Sequence, residues 1–312
     1  MTFVERRVTR LVNKAELMGH RLRASLVLCS LLVSGTLLQA ARPYQQAATA
    51  APAAATLANA ADQEFTADSV TLRYRDVGSG DPIIFIHGYT ATLGSMVGVA
   101  NALPPNYRKV ALDARGFGRS TKFDDPSRFG QNMVDDVVRL MDHLKIQRAH
   151  LVGHSLGALI AANVASRYPT RVTSAALVAG PFWIEPEIST ESRRWITDLE
   201  AGNGLVNFVQ WLFPALNPQM AASTNAGMMK LNDLGSLTAS MRALPQLAIA
   251  GLKDGSKALL IAGTADPLFP LSPSFAKQSP GSRMVEVAGA NHIAVITNPQ
   301  AVAAITEQLA AK

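Results

Sequence analysis

Apolar residues along most of this chain fall into short runs punctuated by glycine-rich turns. "PIIFIHG" (82–88) is a continuous apolar run, the pattern of a strand buried on both faces. "YRKVALDARGFGRS" (107–120) holds a second strand and a glycine-rich loop, and "AHLVGHS" (149–155) a third. "VTSAALVAG" (172–180), "KALLIAGTAD" (257–266) and "RMVEVAGANH" (283–292) read the same way. "VTLRYRDVG" (70–78) alternates and runs into "GSGD", as a hairpin or edge strand would. Between these runs the period changes. "NMVDDVVRLMDHL" (132–144), "LGALIAANVASRY" (156–168) and "PQAVAAITEQLAA" (299–311) carry apolar residues at helical spacing. Strands alternating with helices predict an α/β fold with a mostly parallel sheet covered on both faces.

Two intervals depart from this rhythm. Residues 181–250 lack buried-strand runs and carry Phe182, Trp183, Trp195, Phe208, Trp211, Phe213, Met228, Met229 and Met241. They predict short helices inserted as a cap between two strands, splitting the core into 64–180 and 251–312. Such an insert has a small core of its own. Placed above the strand ends, it also walls the crevice where ligands of open α/β sheets bind, with Trp183 and Trp211 as expected substrate contacts. The other interval is N-terminal. Basic "HRLR" (20–23) precedes apolar "ASLVLCSLLVSGTLLQA" (24–40) and a small Ala-Ala pair. That order predicts a secretory signal peptide over 1–41, with an uncleaved membrane anchor as the alternative and Met18 as a second possible start. The expected location is therefore exported, or held to a membrane by residues 24–40. Residues 42–63, rich in Ala, Pro and Gln, read as a linker with no apolar stripe to dock.

Charge changes little in this picture. The chain of 312 residues carries a net +6, but residues 1–41 hold six basic and two acidic side chains. The remainder is left with about +2, no footprint for nucleic acid. The single cysteine, Cys29, lies in the N-terminal apolar run, so a processed chain has no thiol for catalysis, disulfides or metal binding. The sequence has no H-E-x-x-H, Walker or Rossmann glycine motif, and no metal or cofactor is expected.

The candidate chemistry centres on Gly153-His154-Ser155-Leu156-Gly157, a G-x-S-x-G run between a strand and a helix. Glycines there allow a turn tight enough to expose the serine above the sheet, beside a helix N-terminus. A serine hydroxyl needs a base. Of the six histidines, His292 follows the last strand run, level with the other strand ends, and is the expected base. The histidine in turn needs a carboxylate. Asp266 ends "ALLIAGTAD" before strand-breaking Pro267, the only acid between Ser155 and His292 at the end of a buried-strand run. The oxyanion donors expected are the N–H groups of Leu156 and of Tyr89, whose side chain also faces the pocket.

The motifs "FIHG" (85–88), "DARGFGRS" (113–120), "GHSLG" (153–157), "GTAD" (263–266) and "GANH" (289–292) together resemble the α/β-hydrolase superfamily, in its capped branch. The resemblance covers roughly residues 65–312. It implies a serine hydrolase with the order Ser155, Asp266, His292, and structural roles for Asp113 and Arg115. After "HG" the chain has Tyr89-Thr90 where several relatives carry an aromatic residue and then proline, which speaks against an epoxide-hydrolase reading. The expected activity is hydrolysis of a small hydrophobic carboxylic ester through an acyl-enzyme. Acyl transfer, C–C bond hydrolysis and non-catalytic ligand binding are the alternatives.

Overall fold

The computed structural model describes residues 55–180, 186–253 and 258–311. The expected signal peptide or anchor and Trp183 lie outside the described residues. Among the described residues, eight strands form one sheet: β1 (Gln63–Ala67), β2 (Val70–Val77), β3 (Pro82–Ile86), β4 (Arg108–Leu112), β5 (Ala149–His154), β6 (Val172–Val178), β7 (Ala258–Gly263) and β8 (Arg283–Val287). Their spatial order is β1-β2-β4-β3-β5-β6-β7-β8. β1 and β2 are antiparallel to their neighbours, and every pair from β4 to β8 is parallel. The carboxyl ends of the parallel strands therefore open on one side, where such sheets bind ligands.

The continuous apolar runs occupy the central strands. β5 is buried along its whole length, as is β7, because helices cover both faces. One face holds α2 (Gln131–His143) and α3 (Leu156–Arg167), and the other α1 (Val97–Ala102) and α9 (Pro299–Ala310). Leu159, Ile160 and Val164 of α3 are completely buried, each worth about 2 kcal/mol of transfer free energy.

The hairpin lies one strand earlier than the alternation suggested. Asp68 and Ser69, both with positive φ, join β1 to β2, while "GSGD" leads to β3, which does not neighbour β2. The linker reading over 42–63 also needs correction at its end. Leu57 is 1% exposed within the apolar cluster beside β3, and its carbonyl accepts from Arg75 Nη1 at 2.8 Å. Asp62 accepts from Arg73, Arg75 and Arg119 at 2.7, 2.7 and 2.5 Å. The Arg73 hydrogen bond leads in holding the Asp62 carboxyl down at about 2. One apolar side chain and one carboxylate are enough to dock a segment without a stripe.

Among the described residues between β6 and β7 lie four α-helices: α4 (Pro186–Glu200), α5 (Val206–Leu212), α6 (Pro218–Leu231) and α7 (Leu234–Ala243). Their starts are readable locally. Asn217 caps α6 by accepting from Met220 N–H at 2.9 Å, with Pro218 next, and Asp233 caps α7 by accepting from Ser236 N–H at 2.8 Å. No helix among the described residues is long and apolar enough to cross a membrane.

Candidate active site

Ser155 sits between the end of β5 and the start of α3, with φ 54° and ψ −118°. That left-handed backbone costs a non-glycine residue about 1–2 kcal/mol. Close packing enforces it. A methyl at Gly153 would collide with the Gly157 carbonyl, and one at Gly157 would collide with the Ile86 carbonyl of β3. Gly88, at the end of β3, approaches from the other side, where an added Cβ would lie 3.1 Å from Ser155 Cβ. The sheet, the helix and the following loop thus meet at distances only glycine permits. Leu156 N–H, in the first turn of α3, has no intrahelical acceptor and adds the positive end of the helix dipole.

His292 follows β8 and Asp266 follows β7, and both are 4% exposed. Nδ1 of His292 donates to Oδ2 of Asp266 at 2.7 Å, which leaves Nε2 as the unprotonated nitrogen of the neutral ring. The second carboxylate oxygen, Oδ1, accepts from Leu268 N–H at 2.9 Å. Asp266 is thereby fixed from both oxygens. Ser155, Leu156, His292 and Tyr89 line one pocket together with Trp195, Phe208, Trp211, Leu212, Met241, Leu244 and Leu268. Its volume is about 50 Å³.

The pocket walls come mainly from the cap. Trp195 lies edge-on to Phe208 and Trp211, with ring centroids 5.0 and 5.1 Å apart, and Phe208 meets Tyr89 at 5.7 Å. Apolar contact carries this wall, since among the described residues Trp195 Nε1 is buried without a hydrogen-bond acceptor. The aromatic residues of the insert thus serve both as its core and as the pocket lining. Tyr89 OH donates to the Leu237 carbonyl of α7 at 3.0 Å, and burial pushes this phenol above its usual range.

Two other histidines brace the site, and sequence gave no sign of either role. His154 Nε2 donates to the backbone carbonyl of His292 at 2.8 Å. Burial, helped by nearby His292, pulls its pKa down to about 4, so the ring is neutral near pH 7. It ties the turn carrying Ser155 to the loop carrying His292. His87 accepts from Ala114 N–H at 3.0 Å through Nε2 and donates to Gly88 O at 2.8 Å through Nδ1. Burial lowers its pKa as well.

Around Tyr89 the chain turns tightly. Ala91 N–H donates to Gly88 O at 3.2 Å, closing a four-residue turn whose third residue, Thr90, has φ 64°. Turns usually place glycine or asparagine there. Thr90 is the only β-branched member of the six described non-glycine residues with positive φ. Asn232, from the cap, donates through Nδ2 to the Thr90 carbonyl at 2.9 Å.

Asp113 and Arg115 lie below this turn. Asp113 accepts from Leu93 N–H, Arg119 N–H and Arg73 Nη1 at 2.7, 2.8 and 2.9 Å. Arg115 makes a two-pronged pair with Asp136, at 2.7 and 2.6 Å. Both residues hold loop backbone.

This sheet, with its serine turn and its paired histidine and carboxylate beneath a helical insert, defines a class of protein that the comparisons identify. A family model for the alpha/beta hydrolase fold matches residues 81–299, and the chain belongs to that family. Among curated relatives it is 28% identical over 239 residues to the dihydrolipoyllysine-residue acetyltransferase component of an acetoin cleaving system from Pseudomonas putida. That match covers 71% of this chain and 62% of the relative, so the chain spans under two thirds of that protein. It is 26% identical over 251 residues to 2-(acetamidomethylene)succinate hydrolase from Mesorhizobium japonicum, covering 74% of this chain and 88% of the relative. Among solved structures, a hydrolase from Pseudomonas aeruginosa superposes with TM-score 0.66 at 23% identity, covering 80% of this chain and 98% of that one.

Proposed function

We propose that the protein is a serine hydrolase acting on small, neutral, hydrophobic carboxylic esters. One observation carries the reading: Ser155, half-buried on a strained turn, shares an apolar pocket with a histidine whose Nδ1 is already bonded to a buried carboxylate. In this reading Ser155 Oγ attacks the ester carbonyl while His292 Nε2 takes its proton. Asp266 stabilises the imidazolium. The N–H groups of Leu156 and Tyr89 hold the oxyanion. His292 then protonates the departing alcohol, and water activated by the same ring releases the acid from the acyl-enzyme. No step calls on a metal or cofactor.

The pocket supports the choice of substrate. Among its described lining residues there is no Arg or Lys. A dicarboxylate such as the succinate named for the Mesorhizobium relative would bury charge there without a partner, at a cost of several kcal/mol. The apolar lining suits a hydrophobic acyl or alcohol group. The basic, apolar, small order of residues 20–41 supports export or membrane anchoring of the domain.

The test is fluorophosphonate labelling of purified protein, read by intact and peptide mass. Labelling at Ser155 that vanishes in His292→Ala is expected, followed by turnover of p-nitrophenyl esters. Turnover in Ser155→Ala would sink the assignment. Stoichiometric ligand binding by a folded but unreactive protein would favour a binding role, and product formed only with an acceptor alcohol would favour acyl transfer. The intact mass also reads whether residues 1–40 remain attached.

A further inference from the structure

Thr90 stands in left-handed backbone directly after Tyr89, and it is β-branched. Three hydrogen bonds surround the turn. Gly88 O accepts from Ala91 N–H at 3.2 Å and from His87 Nδ1 at 2.8 Å, and Thr90 O accepts from Asn232 Nδ2 at 2.9 Å. The first two come from the core. They orient the Gly88 carbonyl and, because the peptide is planar and trans, turn the Tyr89 N–H to the opposite side. The third comes from the cap, where Asn232 follows α6 directly. Asn232 Nδ2 also donates to Met228 O, four residues back, at 2.9 Å, and among the described residues its Oδ1 is buried without a partner. An amide that leaves one buried atom unpaired to reach two carbonyls is held in place by those carbonyls.

A second bond runs between the same two regions, from Tyr89 OH to Leu237 O at 3.0 Å. The short cap segment from Asn232 to Leu237 therefore grips both central residues of the turn, one through backbone and one through side chain. We infer that Asn232 is a positioning residue: by holding the Thr90 carbonyl it keeps a strained turn in the one conformation that presents Tyr89 N–H to the oxyanion. The cap, in addition to walling the pocket, completes the catalytic geometry. A cap displaced from the core leaves Thr90 free to relax to negative φ, and the donor turns away. The inference rests on the hydrolase reading for its consequence in rate, and on the structure alone for the clamp.

The experiment separates the two. Asn232→Ser keeps a hydroxyl able to serve the carbonyl four residues back and removes the reach to Thr90. Asn232→Ala removes both. Each is made in the natural chain and in Thr90→Gly, where glycine adopts positive φ without help. Deuterium exchange of the peptide covering residues 88–93 reads the clamp directly. The kcat and KM for a short p-nitrophenyl ester, with the rate of Ser155 phosphonylation, read its consequence.

Asn232→Ser is expected to speed exchange in that peptide. It should also lower kcat and phosphonylation about tenfold, with KM within about twofold. In the Thr90→Gly chain the same substitution should cost less than about threefold. Unchanged exchange overturns the clamp, as does an equal loss in both backgrounds. A loss seen only in Asn232→Ala, together with a lower melting temperature, assigns the residue to the end of α6 and likewise overturns it. If the natural chain neither hydrolyses esters nor reacts with the phosphonate, the hydrolase reading fails while the exchange comparison still decides the clamp.

Discussion

Ser155 and Thr90 are both non-glycine residues in left-handed backbone at the same pocket, and they are held there by different means. Glycine-only contacts with the sheet and α3 enclose Ser155, and its conformation is a property of the core. Thr90 is buried too, and its turn is closed by a short loop and by one amide from the cap. The serine turn is thus fixed by core packing, whereas the Thr90 turn also takes support from a segment inserted between β6 and β7. Strain enforced by packing persists as long as the fold does. Strain held by a side chain from another element lasts only while that element stays in place.

The comparison can be broken from either end. The largest effect expected is chemical. Asp266→Asn should lower kcat about 10⁴-fold in steady-state ester hydrolysis, since the asparagine favours the wrong tautomer of His292. A near-natural rate would return the carboxylate's role to another residue. Gly157→Ala comes next. Its methyl meets the Ile86 carbonyl, and we expect a loss of about 3 kcal/mol or more in urea unfolding. Thr90→Gly should change stability by no more than about 1 kcal/mol, because relief of strain is offset by the freer unfolded chain. If the two substitutions prove alike, the two turns are not held differently.

Acid should act on the turn that carries Ser155. His154 titrates near 4 in the fold and at 6.5 when unfolded, so only the unfolded chain binds this proton between those values. The stability is fully present above pH 6.5 and is lost as pH falls towards 4, on the order of 3 kcal/mol in total. His87, also lowered by burial, adds in the same direction. His154→Gln should flatten part of this slope in urea melts run from pH 7 to 4.5. The smallest effect concerns the wall. Trp211→Ala should raise KM about threefold for p-nitrophenyl esters with a smaller change in kcat, as expected of a wall that meets ground and transition states alike.

The strands were legible where the sheet is buried on both faces. The runs at 82–86, 149–154 and 258–263 have no polar alternation to obscure them. β1 was not legible. It pairs on one side only, its residues are exposed or half-buried, and "QEFTA" carries a single large apolar side chain. The serine turn and Asp266 could be placed because each follows a buried strand, and His292 because it follows the last strand run. Their supports could not. That the His154 side chain meets the His292 carbonyl, 138 residues on, depends on tertiary packing. Asn232 resembles any asparagine ending a helix, and nothing local connects it to Thr90. The insert's aromatic residues were visible as a group, but which of them face the pocket depends on how α4 and α5 cross.

The Asp62 latch sets where the chain can be trimmed. A protease working inward from the N-terminus meets no docked side chain before Leu57 among the described residues. Removal of the segment through residue 62 would strip Arg75 and Arg119 of the carboxylate they share and leave Arg73 with Asp113. Among the described residues, a shortened form that keeps the latch therefore begins no later than Leu57. A cut at residue 63, where the first strand begins, would give a domain that is complete in outline and destabilised at its margin.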